Sequence, residues 1–125
     1  MNLKLRKFDM TSIADDKVVI FIGKRETGKS FLVKDLLYNH QHMPVGTVIS
    51  GTEGANQFYS KIVPPIFIHE EYSPEIIHNF LKRQKKIIKK MNGGSSEYRN
   101  VDPRAFMILD DCLYDNTWTK DKNIR

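Results

Sequence analysis

The chain has a single cysteine, Cys112, so no disulfide can close within it. A reducing compartment is the expected setting. Long apolar runs are also missing. None approaches the ~20 residues that a membrane-spanning helix requires, and the basic start (Lys4, Arg6, Lys7) is not followed by the apolar stretch of a secretory signal. The expectation is a soluble intracellular protein with no membrane partner. Neither a long low-complexity tract nor an internal repeat is visible, which argues against a linker or a solenoid. Tryptophan occurs once, and the chain lacks the stacked aromatics on which a single-strand binder would seat its bases.

What is present fits one folded domain of 125 residues. Hydrophobic residues make up 40%, enough for a core. Net charge is +5 and the sequence pI is about 9.3, a balance that suits a polyanionic partner.

The segment Gly23-Lys24-Arg25-Glu26-Thr27-Gly28-Lys29-Ser30 fits G-x-x-x-x-G-K-[ST], the phosphate-binding P-loop. Each position has a physical reason. Gly23 and Gly28 let the backbone turn tightly. Lys29 sets a point charge against the β- and γ-phosphates, and Ser30 offers a hydroxyl to Mg²⁺. A helix beginning near Lys29 adds the positive end of its dipole to the same anion site. The nucleotide-binding set is therefore Gly23, Lys24, Arg25, Glu26, Thr27, Gly28, Lys29, Ser30 and Phe31, with ATP as the ligand. The context agrees. Val18-Val19-Ile20-Phe21-Ile22 reads as a buried parallel strand over about 17–22, and Phe31, Leu32, Val33, Leu36 and Leu37 recur at helical spacing over about 29–39. The plainer alternative is a glycine turn between ordinary elements.

Further along, Leu3–Arg6 alternates like an edge strand, and Val45–Ser50 reads as a strand. Gly51–Ala55 reads as a loop, Asn56–Lys61 as a short helix, and Ile66–Ile68 as a third strand. Ser73-Pro74-Glu75 is a helix start, with Ser as N-cap and Pro in the first turn. That helix should run to about Met91 and stop at Asn92-Gly93-Gly94, with one apolar stripe from Ile76 to Met91. A loop over Asn92–Arg104 leads to a buried strand at Ala105–Leu109. Helices alternating with short apolar strands define an α/β class with a mostly parallel sheet flanked by helices.

Phe106-Met107-Ile108-Leu109-Asp110-Asp111 is an apolar strand ending in two acids, the form of a Walker B motif. Strands of an open α/β sheet deliver ligand-binding groups from their carboxyl ends. Asp110 is the expected Mg²⁺ carboxylate, and Asp111 the group that orients and activates the attacking water. Glu53, just after the second strand, is the rival catalytic base, its plainer reading being a solvated loop acid. The catalytic set is thus Lys29, Asp111 and Glu53, and the metal set is Ser30 and Asp110. On the long helix, Lys82, Arg83, Lys85, Lys86, Lys89 and Lys90 crowd the face opposite the apolar stripe. They are candidates for sequence-independent contact with DNA phosphates, set against a solvated face. His69-Glu70-Glu71 reads as a strand-end turn rather than a metal site, and Trp118 as packing.

The P-loop Gly23–Ser30, the Walker B segment Phe106–Asp111 and the continuation Cys112-Leu113-Tyr114-Asp115 resemble the DNA-packaging ATPases of nucleocytoplasmic large DNA viruses. These are the poxvirus-type branch of the FtsK/HerA-like P-loop translocases. The resemblance implies a RecA/FtsK-like P-loop NTPase fold. It also implies Mg²⁺-dependent ATP hydrolysis that drives double-stranded DNA into a capsid, by a homo-oligomeric ring engaging capsid or portal components. Host cytoplasm, in the viral factory, and the virion are the implied locations. Many relatives end Walker B in Asp-Glu where this chain has Asp-Asp. They also continue with a sensor strand, which in this fold class lies between the P-loop and Walker B strands, and an arginine finger. Arg104 and Arg125 match no such position, so no finger is assigned. The chain is therefore expected to be the N-terminal part of a longer ATPase. Two other classes remain open: a truncated, non-catalytic nucleotide-binding or subunit-interaction module, and a cellular P-loop NTPase such as a small kinase, for which the sequence displays neither lid nor acceptor pocket.

Overall fold

Val45–Ser50 (β1) is the centre of a three-stranded parallel sheet. The computed structural model describes residues 3–24, 27–94 and 101–111, and the backbone alone at Asn56. Ile68–His69 (β2) lies on one side of β1 and Ala105–Asp110 (β3) on the other. The β1–β3 register runs without a break from Val45 opposite Ala105 to Ser50 opposite Asp110. Both strands therefore end at the same level, and Gly51 N–H continues the ladder to the Asp110 carbonyl at 3.2 Å. β-Branched residues in β1 suit a surface covered on both faces. Val48, Ile49 and Ser50 are completely buried.

Gly46 has a packing reason. It sits opposite Phe106 in the register, and a Cβ there would lie 2.1 Å from the Phe106 ring. The ring occupies the space a side chain would need, so any larger residue must push β1 and β3 apart or expel the ring.

The links between strands are helical, as parallel pairing requires. Glu53–Asn56 (α2) follows β1, then 3-10 turns at Tyr59–Lys61 and Pro65–Phe67 lead into β2. Pro74–Asn92 (α3) leads from β2 toward β3. Ser73 Oγ accepts the Glu75 N–H at 3.3 Å, Pro74 fills the first turn, and Lys89 and Lys90 lie in the last turn, where the dipole favours cations. Ile77 of α3 packs on Ile49 of β1, with Tyr72, Ile76, Leu81 and Met107 around them. That cluster joins helix to sheet, and Gln84 adds a hydrogen bond from Nε2 to the Pro103 carbonyl at 2.6 Å.

Residues 1–42 and 43–125 form two compact units. The sheet belongs to the second. The first holds a 3-10 turn at Met10–Ser12 and the helix Lys29–Tyr38 (α1). Asp9 caps the turn by accepting from the Thr11 hydroxyl at 2.5 Å and the Thr11 N–H at 3.0 Å, and these bonds hold its carboxyl below the usual range. His40, buried beyond α1, places Nδ1 2.8 Å from the Leu36 carbonyl and Nε2 2.7 Å from the Ile13 carbonyl.

Several expectations are corrected. The strand over 17–22 is not formed. No described strand pairs with it, and Val18 and Ile22 are 90% and 93% exposed. An apolar β-branched run becomes a strand only where a neighbouring ladder accepts its N–H and C=O groups, and among the described residues none reaches this run. The same lack of a partner leaves Leu3–Arg6 irregular. Pro65 starts a 3-10 turn through Phe67, so the third strand shrinks to Ile68–His69. Helix α2 occupies part of the expected Gly51–Ala55 loop, and only a 3-10 turn forms within the later part of Asn56–Lys61. By contrast, β1, α1, α3 and β3 match the expected spans to within a residue or two.

Candidate nucleotide site

The Gly23–Ser30 segment leads into α1. Gly28 is the N-cap of the helix in the left-handed region, at φ 85°, a conformation that glycine adopts without a Cβ penalty. The first intrahelical bond, from Leu32 N–H to the Gly28 carbonyl, is 3.1 Å. Lys29 folds back over the loop that precedes it. Its Nζ donates to the Gly23 carbonyl and, at 3.3 Å, to the Lys24 carbonyl. Thr27 Oγ1 also donates to the Lys24 carbonyl, at 2.6 Å. The loop is thus closed on itself by its own lysine and threonine. Ser30 and Phe31 lie in the first turn of α1, Phe31 largely exposed. Arg25 and Glu26 lie outside the described residues. The donor set fits a nucleotide's phosphates: an ammonium, a hydroxyl one residue later, and the first turn of a helix whose N-cap glycine leaves space beside it.

In the second unit, the carboxyl ends of β1 and β3 gather polar side chains. Asp110 ends β3, and its Oδ2 accepts a hydrogen bond from the Tyr59 hydroxyl at 2.6 Å. Asp111 follows at φ 48°. Left-handed backbone is uncommon outside glycine, though aspartate tolerates it better than most residues. Such outliers gather at functional sites. Ser50 Oγ lies 3.4 Å from Thr52 Oγ1.

Glu53 is not a solvated loop acid. It is only 6% exposed, and its carboxylate accepts the N–H groups of Tyr59 at 2.9 Å and Ser60 at 2.7 Å. It thereby caps the 3-10 turn that carries Tyr59. Tyr59 is the member of this group that sequence reasoning missed. The available signal is thin: a buried tyrosine needs a partner for its hydroxyl, but nothing in Phe58-Tyr59-Ser60 says which.

The expected residues thus fall into two sets. Gly23, Lys24, Thr27, Gly28, Lys29, Ser30 and Phe31 belong to the first unit, and Glu53, Asp110 and Asp111 to the second. Within the second, Tyr59 links Glu53 to Asp110. On α3, Lys82, Arg83, Lys85, Lys86 and Lys89 are exposed and Lys90 is half-buried. His69 ends β2, with Glu70 and Glu71 in the bend after it, as a strand-end turn requires. Cys112–Asp115, Trp118 and Arg125 lie outside the described residues. Among the described residues no helix is long and apolar enough to cross a membrane.

Similar proteins occur in large DNA viruses. The chain is 37% identical to an uncharacterized protein of Acanthamoeba polyphaga mimivirus, over 97% of this chain and 43% of that protein. It is 44% identical to one of invertebrate iridescent virus 6, over 88% of this chain and 40% of that protein. A protein of frog virus 3 is 37% identical over 92% of this chain and 34% of its own length. The chain therefore spans about two-fifths of the length of the first two relatives. No family model and no solved structure matches it.

Proposed function

We propose that this chain carries the nucleotide-binding and hydrolytic residues of a viral P-loop ATPase that drives double-stranded DNA into capsids. The observation that carries the reading is the Gly23–Ser30 segment, which passes through a left-handed Gly28 into α1 with Lys29 turned onto the loop. The large-DNA-virus relatives and the resemblance of both Walker segments to packaging ATPases support the finer assignment.

In this reading Lys29 and the first turn of α1 bind the β- and γ-phosphates of ATP. In the second unit Asp110 would hold Mg²⁺, which when bound neutralises charge on the phosphate oxygens, and in the first unit Ser30 offers a hydroxyl of the kind that ligates this ion. Asp111 orients a water toward the γ-phosphorus and takes its proton, so that the β–γ bridging bond breaks and ADP and phosphate leave. The exposed lysines and arginine of α3 contact DNA phosphates without reading bases. A homo-oligomeric ring acting with capsid or portal components in the viral factory and virion, in the host cytoplasm, completes the proposal.

The test is ATP binding and hydrolysis by the full chain, with and without double-stranded DNA, beside Lys29→Ala. The expected result is turnover that rises with DNA and falls with salt, and loss of ATP binding in the variant. Unchanged turnover in Lys29→Ala would sink the P-loop assignment. ATP binding without turnover would favour a non-catalytic nucleotide-binding module. Turnover indifferent to DNA would move the protein away from packaging.

A further inference from the structure

We propose that Tyr59 is a positioning residue for the Asp110 carboxylate, and that buried Glu53 holds Tyr59 in place rather than acting as a base. The inference rests on the reading of Asp110 as the Mg²⁺ carboxylate and adds to it the residues that aim it.

Geometry carries the argument. A carboxylate can only accept, so in the 2.6 Å contact the Tyr59 hydroxyl donates to Asp110 Oδ2. That length lies in the range of charge-assisted O–H···O⁻ bonds. One oxygen held in this way fixes rotation about the Cβ–Cγ bond of Asp110, and so fixes the direction of the other oxygen. Tyr59 itself has little freedom. It is 1% exposed, its ring meets that of Phe58 edge-on at 5.1 Å between centroids, and its N–H is held by Glu53. Glu53 lies three residues beyond Ser50, the residue opposite Asp110 in the ladder. A path of contacts therefore runs from the end of β1 through Glu53 and the Tyr59 turn to the end of β3.

The same path makes Glu53 a poor base. Its two oxygens are each engaged by a backbone N–H, Oε2 by Tyr59 and Oε1 by Ser60. Both oxygens are thus committed to holding the Tyr59 turn. Hydrogen-bond partners of metal ligands commonly matter nearly as much as the ligands, their loss costing roughly 10–100-fold in metal affinity.

The test uses the full chain with Mn²⁺ as the probe, its binding followed by electron paramagnetic resonance in the presence of a non-hydrolysable ATP analogue. Tyr59→Phe removes one oxygen and keeps the ring. It should weaken Mn²⁺ binding by roughly 10–100-fold, while analogue binding in chelator stays at the wild-type level. Glu53→Gln keeps the side chain's shape and should weaken Mn²⁺ in the same direction by less. Wild-type Mn²⁺ affinity in Tyr59→Phe, with affinity lost in Asp110→Asn, overturns the positioning role and leaves the Asp110 assignment standing. Absence of Mn²⁺ binding in the wild type, or its persistence in Asp110→Asn, overturns both. Equal loss of analogue binding in chelator would mean that Tyr59 merely supports the fold, and also overturns the proposal.

Discussion

The two compact units of this chain are held together by different means. Residues 43–125 contain a parallel sheet with completely buried Val48 and Ile49, and a long helix clamped to it through Ile77. Among its described residues, the unit 1–42 has helix α1, with no buried residue, and an apolar run that stands open to solvent. Yet this weakly buried unit carries the more diagnostic motif. Its order is local: Lys29 and Thr27 close the loop onto Gly23 and Lys24, and His40 ties Ile13 to Leu36. The comparison teaches that motif strength and structural support are separate quantities. A loop closed by a few polar contacts and a sheet closed by buried side chains differ in the local stability that each can have.

The largest expected effect tests whether chemistry belongs to the well-supported unit. Asp111→Asn should lower ATP hydrolysis by roughly 10²–10⁴-fold, the usual worth of a positioned general base, with ATP binding unchanged. The substitution is clean, because asparagine also tolerates the left-handed backbone at φ 48°. Single-turnover hydrolysis beside equilibrium nucleotide binding separates the two quantities. Unchanged hydrolysis would remove Asp111 from the reaction, and parallel loss of binding would break the division of labour between the units.

A smaller effect sharpens the packing contrast. Ile49→Ala opens a cavity between β1 and α3 and should cost about 2–5 kcal/mol. Ile20→Ser, in the open run of the first unit, should stay within about 0.5 kcal/mol. Urea unfolding of both variants decides it. Equal costs would mean that the run around Ile20 is covered when the protein is in solution.

The same contrast explains how much could be read from sequence. Strand β1, helix α3 and strand β3 were legible because each meets its partners within this chain: Val48 opposite Ile108, Ile77 on Ile49. Local rules and tertiary contacts then point the same way. Val18–Ile22 has an equally strong local pattern and failed, because a parallel strand is made by its neighbours. At the site, Asp110 was legible from the strand that ends in it. Tyr59 was not, since its link to Asp110 spans 51 residues and depends on the turn that Glu53 caps. Glu53 is buried, against the plainer reading of a solvated loop acid. Position after a strand predicts nearness to the sheet's edge, not whether backbone N–H groups will claim the carboxylate.

The smallest expected effect concerns the polar tie that replaces a core in the first unit. Both ring nitrogens of His40 face backbone carbonyls, which can only accept. A neutral imidazole has one N–H and satisfies one of them, whereas imidazolium satisfies both. The Ile13 and Leu36 carbonyls therefore raise the His40 pKa above 6.5, with burial opposing and Asp15, 3.8 Å from Nε2, adding attraction. His42 shares Asp15 at 2.8 Å and tilts its ring toward His40, with centroids 5.7 Å apart. The sign follows from linkage: the folded state binds the proton more tightly than the unfolded state. Stability from this tie is fully present below pH 6.5 and is lost as pH rises through the higher folded-state value. Amide hydrogen exchange in α1, measured across that window, should quicken toward higher pH beyond the intrinsic base-catalysed rise, while exchange in β1 shows only the intrinsic rise. His40→Gln should remove the excess in α1. A difference of about 1 kcal/mol is the scale of one such hydrogen bond. An α1 profile that tracks β1 would mean that His40 is neutral when folded, leaving one of its two carbonyl contacts without a proton.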